Sequence, residues 1–180
     1  QLNPAGYVNY GIVAAAITAG TSSARADAVF SLTGVGTADF SFINGNTQLE
    51  LVLTNTGTNT LQGTAISGLE FNVAGFTLGS LTSGTATDGL ISSPYSTPTN
   101  VGADILKADS GRWEVESGPT ADPFKLTALS GGQPAEMIIS DSIASNGGTH
   151  NFDPYVSQTA TFIFSISNVG ASPTIGDKNG

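Results

Sequence analysis

The sequence predicts an all-β protein: an antiparallel two-sheet β-sandwich of about 9 to 11 strands, preceded by an extended N-terminal arm. Three observations carry that expectation. Charged residues fill only 11% of the 180 positions, against a usual share of about 25%, and Gly supplies 23 of them. Apolar and polar residues alternate in short runs, the period of a strand with one buried face. No amphipathic helix of useful length interrupts those runs. The chain divides into an arm, residues 1–26, and a sandwich domain, residues 27–180.

The arm carries the uncharged apolar run GIVAAAITAG, residues 11–20. At about 10 residues it is too short to cross a bilayer as a helix, which takes about 20. As a strand it sets Val13, Ala15, Ile17 and Ala19 on one face, and Ile12, Ala14, Ala16 and Thr18 on the other. Both faces are apolar or small, as suits a strand buried between layers. Ala24-Arg25-Ala26 ahead of Asp27 also has the small-x-small pattern of a signal-peptidase site. Residues 1–26 are therefore a strand in the protein's own core, a strand donated to a neighbour, or a signal-like leader.

In the domain, Phe30 and Leu32 share a face, Gly34-Val35-Gly36 turns the chain, and Phe40 and Phe42 repeat the alternation. The sequence NGNT at 44–47 is a hairpin signal, because Asn and Gly tolerate the positive φ of a tight turn. It joins residues 37–43 to 48–54, where Leu49, Leu51 and Leu53 point inward. A polar loop over 54–63 follows, then a strand with Leu69, Phe71 and Val73 on one side and Glu70 and Asn72 on the other. Gly75 leads into a further strand over 76–81. Residues 82–111, rich in Ser, Thr, Gly, Pro and Asp, read as long loops with a helical turn near 102–107. Short strands are expected at 112–117, 124–129 and 137–139. In the run 158–169, Ala160, Phe162, Phe164 and Ile166 share a face. The tail from residue 171 reads as turn-like and exposed.

Charge excludes some functions. Net charge is −9 and the pI near 4.1, the wrong sign for nucleic acid or an anionic membrane surface, which call for clustered Lys and Arg. With no Cys there is neither a disulfide framework nor a thiolate metal site. No Asn-x-Ser/Thr sequon occurs.

With the strands laid out, LELVLTNTGTNT at 49–60, GLEFNVAGF at 68–76, the single Trp113 in a Gly/Ser-flanked strand and NFDPYVSQTATFIFSI at 151–166 resemble the bacterial extracellular proteins of the PEP-CTERM, exosortase-sorted class. The likeness is one of strand cadence over most of residues 28–169. It implies an exported β-sandwich of the cell surface or extracellular matrix, with no catalytic residues to carry over.

Nothing in the sequence names a reaction, and the chain is expected not to be an enzyme. The lone His150 lies in a loop and no GxSxG elbow is present. Glu114 and Glu116 share one strand face beside Arg112, which reads as a solvated face more readily than as a glycosidase pair. Calcium is the strongest small-site expectation. Asp104, Asp109, Asp141 and Asp153 lie in turns rich in oxygen donors, although no DxDxDG spacing frames them. No other cofactor is implied.

These readings lead to a secreted structural protein, a subunit of an extracellular filament, sheath or biofilm matrix. Its partners are copies of itself, joined by donation of the N-terminal strand through Ile12, Val13, Ala15, Ile17 and Ala19. The alternative is a monomeric cell-surface module that holds carbohydrate, such as a surface polysaccharide, or calcium in the loops at 82–111 and 141–155.

Overall fold

The computed structural model describes residues 10–11, 27–32, 34–58, 65–92, 97–109, 111–116, 124–128, 135–142 and 154–176. Within them the fold is all-β, as the alternation predicts. The largest sheet contains β2 (Asp27–Leu32), β3 (Gly36–Ile43), β4 (Gln48–Asn55), β13 (Thr159–Ser167), β6 (Thr77–Ala86) and β8 (Ala103–Asp104), in that spatial order. Every ladder in it is antiparallel.

The expected hairpin is its nucleus. Ile43 pairs with Gln48 and Gly36 with Asn55, and the connection bends through Asn44, Gly45 and Asn46 at φ 52°, 67° and 64°. Those are left-handed values that Asn and Gly adopt at low cost. On the inner face Phe40, Leu49, Leu51, Leu53, Ala160 and Phe162 are all fully buried. Gly36 is required by space: a Cβ there would sit 1.9 Å from the carbonyl oxygen of Thr54.

The facing sheet runs β1 (Tyr10–Gly11), β5 (Gly68–Ala74), β10 (Phe124–Thr127) and β9 (Glu114–Val115), with β14 (Thr174–Gly176) also on β5. Phe71 of β5 brings the two sheets face to face. Its ring centroid lies 5.1 Å from that of Phe40, 6.2 Å from that of Phe164 and 5.8 Å from that of Phe124. Aromatic pairs at such separations add to the burial of area itself. A third, small sheet holds β11 (Ile138–Ile139), β12 (Tyr155–Ser157) and β7 (Leu90–Ile91). It covers its own apolar cluster of Ala65, Ile91, Met137, Ile139 and Tyr155.

Four features differ from the sequence expectation. The strand count among the described residues is fourteen, because seven strands are only two or three residues long and carry no readable period. Two short ladders, β1 on β5 and β11 on β12, are parallel. Residues 82–86 continue β6 instead of opening a loop, and the one-turn helix lies at Lys107–Asp109. The tail contributes β14, whose Ile175 is 1% exposed, so it is packed and not free. Among the described residues no helix is long and apolar enough to cross a membrane.

Candidate functional site

Two places in this fold gather groups with something to do. The first is the flank of β5 that receives the arm. In a ladder, successive residues turn their N–H and C=O to opposite sides of the strand. The carbonyl of Ser67 accepts the Ala128 N–H at 2.9 Å, so residues 67, 69 and 71 address β10. Residues 68 and 70 turn theirs to the other flank, where Tyr10 lies beside Leu69 and Gly11 beside Glu70 in parallel register.

Among the described residues that ladder comprises the pairs Tyr10–Leu69 and Gly11–Glu70. Gly11 stands on one sheet, while Asp27 begins β2 on the other. The roughly fifteen residues between them reach at most about 50 Å when extended, several times the ~10 Å between packed sheets. The connection is thus longer than the step between the two sheets requires. Ile12, Val13, Ala15, Ile17 and Ala19 lie outside the described residues.

The second place is a buried fastening around Glu136. Trp113, 1% exposed, packs its ring 4.9 Å from Phe162 and donates its indole N–H to the main-chain carbonyl of Glu136 at 2.8 Å. The Glu136 carboxylate accepts the Arg112 amide at 2.8 Å, and the Glu136 N–H donates to the Pro154 carbonyl at 2.6 Å. This residue sits at φ 57°, uncommon for a side chain of its kind, and is 7% exposed. Burial pushes its carboxyl above the ordinary range; the hydrogen bond and charge of Arg112 pull it down, and the charge of Asp104 adds to the rise. These contacts pair no nucleophile with a base. Their effect is to hold Arg112 and Trp113 against the third sheet.

The calcium candidates are distributed as follows. Asp104 is exposed at the edge strand β8, and its Oδ1 accepts the Leu106 amide at 2.9 Å. Asp109 is exposed at the end of the one-turn helix, and Asp141 is exposed just past β11. Asp153 lies outside the described residues. No cluster of three or more acidic or His side chains is formed among the described residues, so Asp104, Asp109 and Asp141 are not brought together.

Both carboxylates of the glycosidase reading face cations: Glu114 takes Lys107 at 2.8 Å, and Glu116 takes Lys125. His150 lies outside the described residues. What sequence reasoning missed is Glu136 and the fully buried Asn55, polar residues in apolar surroundings whose partners come from distant segments. Compared with protein-family models, curated proteins and solved structures, the chain matches none of them.

Proposed function

We propose that this chain is a structural protein of the cell surface or extracellular matrix, a subunit that joins its neighbours by placing its N-terminal strand on their β5. The observation that carries this reading is the β1–β5 pairing: Tyr10 and Gly11, on a long connection to the rest of the domain, lie in parallel register against Leu69 and Glu70 of β5. A strand on such a connection is exchangeable in trans at little cost, since the same hydrogen bonds form in either case. Each molecule both gives an arm and receives one. The contact is therefore head-to-tail and propagates into a filament unless the rotation closes. Low charge, many Thr and Ser, and no Cys suit an exported structural domain.

Deletion of residues 1–26 is the test, read by negative-stain imaging with circular dichroism as the control for folding. The truncated chain should keep its β signal, form no filaments, and bind a synthetic peptide of residues 1–26. Filaments of unchanged appearance from the truncated chain would rule the reading out.

A further inference from the structure

Sheet edges are where unpaired backbone groups meet solvent, and natural sheets keep them short or guard them. Among the described residues the edge strands β1, β8 and β9 are two residues each, whereas β2 runs for six. Among the described residues, β3 is the only partner of β2.

The direction of the open groups follows from the neighbouring ladders. Val35 accepts the Thr56 amide at 2.8 Å through its carbonyl, which points the odd-numbered residues of β3 at β4 and the even-numbered ones at β2. The pairs Ala28–Phe40, Phe30–Ala38 and Leu32–Gly36 therefore carry the β2–β3 hydrogen bonds. Val29 and Ser31 turn their N–H and C=O outward. Both side chains stand in solvent, Val29 at 60% exposure. From residue 28 to residue 32 there is no Lys and no Pro, and the β2–β3 register has no bulge.

We propose that this edge pairs antiparallel with the same edge of a second copy of the chain, with Phe30 opposite Phe30 of that copy. Two features select that occupant. The first is register. Antiparallel pairing about Phe30 sets Ala28 opposite Leu32, core face to core face. It also sets Val29 opposite Ser31, so that the two residues with open backbone groups exchange both hydrogen bonds across a two-fold axis.

The second is charge. A chain of net −9 repels its copies, yet the outward side chains on this seam, Val29 and Ser31, are both neutral. The two Asp27 residues would lie about 20 Å apart along the seam, well past the ~8 Å screening length of physiological salt. Five residue pairs fall at the small end of specific interfaces. A single contact is therefore weak, and gains strength when repeated along an assembly. Its closed two-fold symmetry joins subunits sideways, a role separate from strand donation and independent of it.

Because the chain has no Cys, single Cys substitutions in the full chain report this register directly. Opposed residues in a hydrogen-bonded pair have Cα atoms about 5.5 Å apart, within disulfide reach. Val29 would lie about 9 Å from Val29 of the second copy, beyond that reach. Under mild oxidation, a mixture of the Val29→Cys and Ser31→Cys chains should give several-fold more covalent dimer than either chain alone. At equal concentration the unaltered chain should sediment as larger species than Val29→Lys, with identical circular dichroism. Equal cross-linking in all three samples would overturn the proposal. So would equal sedimentation, or preferential cross-linking of Val29→Cys to an Ile17→Cys arm.

Discussion

The side-chain amide of Asn55 donates to the main-chain carbonyl of Ile138 at 3.0 Å, tying the end of β4 to the third sheet. The same carbonyl accepts the Ile66 amide at 2.9 Å, and Asn55 Oδ1 accepts the Gly57 amide at 3.0 Å. Asn55 is fully buried, so each of these groups depends on it or on its neighbours for a partner. Asn55→Ala strands the Gly57 N–H and removes a donor from Ile138. The expected loss is about 2–3 kcal/mol in urea unfolding, the cost of leaving buried polar groups unpaired. Asn55→Asp should lose more, because it sets a carboxylate against the Ile138 carbonyl where an amide had donated.

Glu136 predicts a dependence on pH. Its carboxyl is held above the ordinary range, first by burial, against the pull of the Arg112 amide and guanidinium. The folded state then grips the proton more tightly than the unfolded chain does. The contribution to stability is full below the unfolded carboxylate range and is lost as pH rises through the raised folded value. Glu136→Gln keeps an oxygen for the Arg112 amide and carries no charge. It should therefore be more stable than the unaltered chain at neutral pH, with the difference shrinking as pH falls below the carboxylate range. Thermal melts across that span check it, and a pH-independent difference would exclude the assignment.

The long alternating strands were legible because each side chain on the inner face is its own filler. Leu49, Leu51 and Leu53, or Phe162 and Phe164, mark the buried side by themselves. The outer half of β6 was not. Its buried positions there are Gly84 and Ala86, and the space above Gly84 is filled from outside, by Leu106 at 2.5 Å and Phe162 at 3.2 Å from where a Cβ would lie. A strand whose core face is completed by other segments shows no hydrophobic period of its own. Register shifts opposite residues 163–166 blur it further. Glu136 and Asn55 were invisible for a related reason. A polar residue enters the core when distant main-chain groups satisfy it, and no local pattern announces that. The place of Tyr10 and Gly11 on β5, at Leu69 and Glu70, was not legible either, because it depends on pairing across the whole length of the early chain.

The tail gives the sharpest contrast between composition and packing. Around β14 the sequence reads as turn and terminus, yet Ile175 pairs with Val73 of β5 and is 1% exposed within the main core cluster. The approach to it is fixed as well, since the Gly170 amide donates to the Gly75 carbonyl at 2.7 Å. Strand β5 thus depends on β14 for the ladder along Asn72 to Ala74, as it depends on β10 from Gly68 to Phe71. Ile175→Asp buries an unpaired carboxylate and should cost about 3–5 kcal/mol, enough to consume much of a small domain's stability. Thr174→Asp, on the neighbouring half-exposed position, should cost under about 1 kcal/mol. Equal melting temperatures for the two variants would mean that β14 does not hold β5 in place. A large gap between them would mean that the end of the chain closes the sandwich on the strand that its beginning also uses.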